Sequence, residues 1–224
     1  MAFPLTHLLV AEELLSRRPR SDSDAALFLL GSIAPDGVHY RKDFVGAEQH
    51  NIGPSKKITH LCPVSDERWG AVTDNEGWVR CVQDFAKAHT GPLAEGYAVH
   101  ALTDIYNNMT LWKRFSTQHP DEAAKGYKSA YYSDLRDIDL RLYRTHAKVA
   151  RIEALLAQAQ ASDMPGLVSA AEISAIRDNI LYEYFEGHWP VDGYEYRFVS
   201  YDETLEFIQG TADFVENVLG RNTP

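Results

Sequence analysis

The stretch 96–108 limits the possible folds of this chain most strongly. It contains His100 and Asp104, and nearly all of the residues around that pair are apolar, so we predict a largely buried helix. Residues four apart lie on one face of a helix, about one turn from each other. An imidazole and a carboxylate that are buried together must be hydrogen-bonded or must bind a metal. For this pair alone, a structural hydrogen bond between helices explains the pattern as well as a metal site does.

The rest of the chain also has helical periodicity. Prolines and small polar residues stand where apolar stripes begin, as is typical of helix starts. No internal repeat, low-complexity tract or linker interrupts the pattern. We therefore predict an all-α, single-domain multi-helix bundle over residues 1–224, with helices at 4–17, 23–34, 74–89, 92–117, 120–157, 169–186 and 202–219.

Two segments lack helical periodicity. Residues 37–58 are rich in Gly, Pro, Asn, Lys and His, and they form a longer connection than is usual between helices. Long ordered loops are often lids or binding loops, so we predict that this segment covers a functional cleft and exchanges amide hydrogens faster than 96–108. Residues 187–199 are predicted to be irregular. We interpret His39, His50 and His119 as surface loop histidines.

Composition excludes several functional classes. The formal net charge is −10, which argues against nucleic acid or an anionic membrane as a partner of the whole surface. The only cysteines, Cys62 and Cys81, form no CxxC motif, so we expect reduced thiols. No basic region precedes the first apolar run, and no run is long enough to span a bilayer. We expect a cytoplasmic protein, and its oligomeric state is left open.

Five His and Asp residues stand in apolar surroundings. This is more than a hydrophobic core usually contains, and they are His7, Asp36, His60, His100 and Asp104. Imidazole and carboxylate ligands together suit zinc, iron or manganese, and the lack of a thiolate cluster argues against a closed structural zinc site. The sequence therefore predicts a metal site built from most of these residues.

The ordered pieces Thr6-His7, Gly31-Ser-Ile-Ala-Pro-Asp36, Thr59-His60 and Gly96-Tyr-Ala-Val-His100-Ala-Leu-Thr-Asp104 resemble the zinc-dependent phospholipase C family. The similarity is closest to its small bacterial members without a signal peptide, and it covers roughly residues 1–115. It implies an all-helical fold with zinc in a cleft. It also implies that Asp36, His60, His100 and Asp104 bind one zinc, and that His7 helps to bind a second ion bridged by Asp104.

The chain departs from that family in its second half. The family has a His six residues after the central Asp, where this chain has Thr110. The family also has His-x-x-x-Glu on the next helix, whereas His146 here is followed by Ala150. We therefore expect one tightly held zinc and a weaker second ion, without a third. Asp134 and Asp137 share a helix face, which we interpret as a solvated acidic face in preference to a rebuilt metal site.

The resemblance implies hydrolysis of a phosphoester, with metal-bound hydroxide attacking phosphorus and Asp36 orienting or deprotonating that water. The expected substrate is a small phosphoester or a lipid head group. Candidate substrate-binding residues are Arg41, Lys56, Lys57 and Tyr106, and candidates for an apolar cleft wall are Tyr97, Tyr106 and Trp112.

Two alternatives remain open at this stage. An HD-domain-like nucleotide phosphohydrolase is also helical with His and Asp ligands, but no adjacent His-Asp dipeptide occurs in this chain. A non-catalytic helical protein could use the same residues structurally, or could bind metal without turnover. Stoichiometric metal that survives dialysis would separate the phosphoester hydrolase and the nucleotide phosphohydrolase from a metal-free structural protein.

Overall fold

The protein is built from α-helices. A computed structural model describes residues 3–42, 44, 54–62 and 72–220. Over these residues there are no β-strands, and a single β-bridge joins Met164 and Val168. The all-α prediction is therefore confirmed. The α-helices are α1 (Pro4–Arg17), α2 (Asp22–Gly31), α3 (Pro54–Thr59), α4 (Asn75–Ala88), α5 (Pro92–Met109), α6 (Leu111–Gln118), α7 (Pro120–Ala123), α8 (Ala130–Thr145), α9 (Val149–Gln158), α10 (Ala170–Tyr182) and α11 (Tyr201–Gly220), and 3-10 helices run over Ala34–Tyr40 and Gly126–Lys128.

Local sequence signals explain where the helices begin. Pro4 and Pro92 occupy the first positions of α1 and α5, where a proline costs no hydrogen bond. Ser21, Asp74 and Ser200 each accept a hydrogen bond from the backbone N–H three residues later. Each cap satisfies one of the N–H groups that a helix start leaves without an intrahelical partner.

Helix α5 lies at the centre of the bundle. Thirteen of its eighteen residues are buried, as predicted for the stretch 96–108. It contacts α1, α2, α4, α6 and α11, and its apolar side chains belong to one connected hydrophobic core. Within the described ranges, no helix combines the length and apolar character that crossing a bilayer would require.

Two glycines bring α2 and α5 unusually close together. A Cβ atom on Gly31 would lie 2.2 Å from the carbonyl oxygen of Leu93, and one on Gly96 would lie 2.0 Å from that of Phe28. Only glycine permits this approach of the two backbones. The crossing lies one helical turn before His100, so it determines how closely that imidazole approaches the end of α2.

The prediction of single long helices at 92–117 and 120–157 is wrong, because each range contains more than one shorter helix. The first is broken at Thr110, whose backbone leaves the helical region (φ −120°, ψ −94°) and whose hydroxyl donates to the carbonyl of Tyr106. The second is interrupted by the 3-10 turn at Gly126, which has a positive φ of 58°, and again at the extended residue His146. Apolar periodicity continued across these breaks, so it did not reveal them.

The predicted loop 37–58 contains helical residues at both of its ends. A 3-10 helix extends through Tyr40, and α3 covers the end of the segment. Residues 45–53 lie outside the described residues, and so does His50, so the predicted lid stays a prediction.

The interpretation of Asp134 and Asp137 as a solvated acidic face is wrong. Both side chains are buried, and they bind the segment 187–199, which is irregular as predicted. One oxygen of Asp137 accepts from the Val191 N–H at 2.6 Å. Asp134 accepts hydrogen bonds from the backbone N–H groups of residues 197–199 and from the Tyr194 hydroxyl. The two carboxylates therefore hold this irregular segment against α8.

Candidate metal centre

The structure brings all five predicted ligands together, and we call this group the candidate metal centre. They come from four separate parts of the chain: His7 from α1, Asp36 from the first 3-10 helix, His60 from the turn after α3, and both His100 and Asp104 from α5. The side chain of Asp36 is 13% exposed, and those of the other four are 0–2% exposed. The centre is thus buried, with Asp36 as its most accessible member.

The potential ligand atoms form two overlapping groups. Asp36, His60 and His100 offer ligand atoms that lie within 4.8 Å of one another, and so do His7, His100 and Asp104. Asp104 lies between the groups, with one oxygen 3.6 Å from Nε2 of His7 and the other 3.7 Å from Nε2 of His60. The arrangement has room for one ion and for a neighbouring second one, whereas a third group is not found in the part of the chain that the structure describes.

Hydrogen bonds determine which imidazole nitrogens carry protons. Nδ1 of His100 lies 2.8 Å from the carbonyl oxygen of Ser32, and Nδ1 of His60 lies 3.0 Å from that of Lys56. A carbonyl oxygen can only accept, so Nδ1 of His100 donates and Nε2 is the acceptor of its neutral ring. Nδ1 of His60 also lies 3.0 Å from the Thr59 hydroxyl, and Nε2 of His60 lies 3.3 Å from Asp36 Oδ1. These two Nε2 atoms lie only 3.2 Å apart. A cation between these nitrogens would be bound by both of them and by the neighbouring carboxylates.

His7 reinforces this conclusion. It is 1% exposed, and neither of its ring nitrogens has a hydrogen-bond partner among the described residues. Its ring stacks on His100, with the centroids 3.9 Å apart and the planes inclined by 7°. Burial and the neighbouring His100 lower the pKa of His7 well below its ordinary value, so its ring is neutral. A neutral, buried imidazole with an open nitrogen is suited to binding a metal.

Neighbouring helices hold the His60 turn in place. The hydroxyl of Tyr97 donates to the carbonyl of Thr59, and the indole N–H of Trp78 donates to the carbonyl of His60 at 2.8 Å. Thus α5 and α4 both fix the end of α3. Bonds of this kind orient ligating side chains and are typical of the shell behind metal ligands.

Lys56 is buried beside the centre, where the sequence predicted a residue that contacts substrate. Its side chain is 1% exposed, and Nζ lies 2.9 Å from Asp36 Oδ1 and 2.9 Å from Nε2 of His39. Since the ammonium can only donate, Nε2 of His39 accepts. His39 is exposed, as predicted for a surface histidine, and it also belongs to this network.

These contacts alter the acidity of the site. Burial raises the pKa of Asp36, but the Lys56 ammonium and the His60 imidazole lower it by more than burial raises it. The pKa of Asp36 therefore lies well below its ordinary value. Burial and Lys56 lower the pKa of His60 to about 3 and that of His39 to about 4. At neutral pH the site thus contains an anionic Asp36 beside neutral His7 and His60, the protonation states that a metal requires.

A cavity of about 440 Å³ opens beside the centre, and we call it the aromatic cavity. Two polar members of its wall, Asp36 and His39, belong to the centre or to its network, so the cavity reaches the site. Its other lining residues are mainly aromatic or aliphatic, namely Phe3, Pro4, Tyr40, Phe44, Tyr127, Tyr132, Ile176, Asn179, Ile180 and Tyr184. A slightly larger cavity of about 500 Å³, lined by parts of α1, α4 and α11, includes none of the five candidate ligands.

The predicted cleft wall is not the observed one. Tyr97 is fully buried in the core, Tyr106 packs against Phe207 and Phe214 of α11, and Trp112 packs against Phe115 and Tyr131. The aromatic residues that do line the cavity are scattered from Phe3 to Tyr184, and no periodicity in the sequence connects them.

Two predicted phosphate contacts also need revision. The guanidinium of Arg41 binds the carboxylate of Glu172 at 2.7 Å and the carbonyl of Leu167 at 2.6 Å, which draws it toward α10. Lys57 is partly buried on α3 and does not line the aromatic cavity. Of the predicted basic residues, Lys56 is therefore the one that the structure places against a candidate ligand.

The lowered histidine pKa values predict acid sensitivity of the metal-free protein. An unfolded histidine has a pKa of about 6.5, so below that pH the unfolded chain binds protons that folded His60 and His39 do not. The neutral folded imidazoles therefore contribute to the free energy of unfolding. This contribution is complete above about pH 6.5 and is lost as the pH falls toward 4 and then 3. We expect the urea midpoint to fall between about pH 6.5 and pH 5, before most carboxylates titrate. A constant midpoint over that interval would contradict the described burial of His60.

Comparison with known proteins provides no independent assignment. The chain matches no protein-family model, no curated protein and no solved structure.

Proposed function

We propose that this protein is a cytoplasmic, metal-dependent hydrolase of phosphoesters. One observation carries the proposal: the side chains of His7, Asp36, His60, His100 and Asp104 converge, and they form two overlapping groups whose potential ligand atoms lie within 4.8 Å of one another. A divalent cation offsets this concentration of lone pairs and negative charge. The sequence resemblance to zinc-dependent phospholipases C supports phosphoester hydrolysis as the reaction.

The donor set suits zinc, and iron or manganese would accept the same imidazole and carboxylate groups. Asp36, His60 and His100 would hold the first ion, and His7 with Asp104 would contribute to a weaker second one. When bound, such an ion polarises a phosphoryl oxygen and makes water a better nucleophile at neutral pH.

The residues of the chain supply orientation and charge. Asp36 is anionic and accessible from the aromatic cavity, so it can accept a hydrogen bond from a water at the site. Its lowered pKa makes it a weak base, which favours orienting the water over removing its proton. Lys56 maintains that anionic state and fixes one carboxylate oxygen at 2.9 Å. Nε2 of His39 accepts a second hydrogen bond from the same ammonium.

The Lys56–Asp36 ion pair also favours a second candidate, a helical protein that does not catalyse a reaction. The ammonium compensates Asp36 without any metal. It leaves both ring nitrogens of the buried His7 without a hydrogen-bond partner among the described residues, which favours a bound metal. Together with the sequence resemblance, this is why we prefer the hydrolase.

Metal analysis followed by an activity assay tests the proposal. We expect the purified, dialysed protein to retain about one equivalent of zinc, iron or manganese, since buried His and Asp ligands bind tightly. Chelation should abolish hydrolysis of bis(p-nitrophenyl) phosphate, and zinc should restore it. The assay should also include a phosphomonoester, a nucleotide and a short-chain phosphatidylcholine.

Two outcomes would contradict parts of this proposal. A purified protein that contains no metal and cannot take up zinc would rule out the metal site. Metal without turnover on any of these substrates would leave a metal-binding protein that is not a hydrolase.

A further inference from the structure

We propose that the aromatic cavity binds a planar aromatic group of a substrate that carries a single phosphate. This inference rests on the proposed function, because it takes the candidate metal centre as the place where the phosphate is attacked. It adds the identity of the group next to that phosphate. The cavity volume of about 440 Å³ lies within the range of ~300–1,000 Å³ that is usual for small-molecule sites.

Aromatic rings line the cavity from four separate regions of the chain. Phe3 precedes α1, and Tyr40 and Phe44 come from the end of the first 3-10 helix and from the residues after it. Tyr127 lies in the second 3-10 helix, Tyr132 lies at the start of α8, and Tyr184 follows α10. Six rings around one small cavity form an apolar surface of high polarisability. Such a surface favours another ring, because offset or edge-to-face ring pairs gain energy beyond the area that they bury.

The packing of these rings leaves ring surface for a ligand. Tyr127 and Tyr132 are tilted by 44° with centroids 4.6 Å apart, and Phe3 and Tyr132 are tilted by 53° at 6.4 Å. Neither pair is stacked face to face. Tyr40 and Tyr127 are each 41% exposed, which is high for residues of this size at a concave site. Both tyrosines line the same cavity as Asp36.

The charge of the cavity argues for a single phosphate. Its described lining includes the carboxylate of Asp36 and the imidazole of His39, and no Lys or Arg side chain occurs among those lining residues. Lys56 lies behind them and is already paired with Asp36. A polyphosphate would bring several negative charges to a wall without cations in a protein of net charge −10. One phosphate can instead be neutralised at the metal centre.

The test measures binding of non-hydrolysable ligands to the zinc-loaded protein by titration calorimetry. Phenylphosphonate and cyclohexylphosphonate have the same number of carbon atoms, but only the first is planar and aromatic. We expect phenylphosphonate to bind about tenfold more tightly, although cyclohexyl is the more apolar group. Adenosine monophosphate extends the test to a nucleobase as the ring, and adenosine triphosphate tests the limit to one phosphate.

Matched variants locate the effect in the cavity. Tyr184→Ala should remove most of the preference for phenyl over cyclohexyl, while Tyr184→Phe should retain it. Tyr40→Ala, at an exposed position of the wall, is a second variant that spares the core. Tyr182→Ala is the control, because Tyr182 is 62% exposed, lies two residues away and does not line the cavity.

The outcomes separate this inference from the proposed function. Three results would each overturn the inference, even if hydrolysis is observed. The first is equal affinity for the phenyl and cyclohexyl ligands, and the second is an unchanged preference in both Tyr184→Ala and Tyr40→Ala. The third is tighter binding of the triphosphate than of the monophosphate. A phenyl preference lost in the cavity variants supports the inference, even if the protein hydrolyses none of the esters tested.

Discussion

The variant His100→Ala is expected to lose its metal and all metal-dependent hydrolysis. His100 is the one residue that both groups of potential ligands share, so its removal leaves neither group with three members. Loss of a ligand that orients both ions should weaken metal binding by more than the 10–100-fold typical of residues behind the ligands. Metal content per protein and the rate with bis(p-nitrophenyl) phosphate measure both effects.

The same substitution should also destabilise the metal-free protein. The imidazole is fully buried, stacks on His7 and donates to the carbonyl of Ser32, which would lose its donor. A cavity together with an unsatisfied buried carbonyl costs about 2–4 kcal/mol. His188→Ala is the matched control, since His188 is exposed and lies outside the centre. Full metal occupancy in His100→Ala would exclude His100 as a ligand.

The predictable part of the fold depends on signals that act locally. Pro4, Pro92 and the capping residues act within one turn, so the starts of their helices follow from the sequence. The stretch 96–108 could be predicted to lie centrally because its apolar residues leave no wide polar face. The break at Thr110 was missed because it depends on the backbone of a single residue, and no proline or glycine marks it.

The candidate site divides in a similar way. The five potential ligands were visible because a polar residue in an apolar run needs a partner, and this requirement can be recognised before the partner is known. Lys56 was misinterpreted because its burial depends on its contacts with Asp36 and His39, which lie in a different segment. The rings of the aromatic cavity lie between positions 3 and 184, and only the packing of the helices brings them together.

Asp134 shows how burial reverses the meaning of a pattern. Carboxylates at positions 134 and 137, with arginines nearby on the same helix, resemble an exposed face with ion pairs across one turn. The segment 187–199 covers that face, so Asp134 is fully buried and each of its oxygens accepts hydrogen bonds. Nothing within α8 itself indicates that an irregular segment from later in the chain will cover it.

Asp134→Ala is accordingly expected to be the most destabilising substitution outside the candidate metal centre. It removes the acceptor for the N–H groups of residues 197–199 and for the Tyr194 hydroxyl, and Val199 is completely buried. Leaving buried donors without a charged acceptor costs about 3–5 kcal/mol. For a chain of this size, that cost lowers the melting temperature by roughly 10 °C.

Two further variants make the experiment on Asp134 decisive. Asp134→Asn keeps one acceptor oxygen in place, so its loss of stability should be intermediate. Asp192→Ala, on the exposed part of the same segment, should change the melting temperature by less than about 2 °C. Metal content per folded molecule should stay unchanged in all three variants, because Asp134 belongs to neither ligand group. If Asp134→Ala costs less than about 1 kcal/mol, the bonds from Asp137 and Arg144 to the segment are sufficient to hold it, and the buried carboxylate of Asp134 is dispensable for the fold.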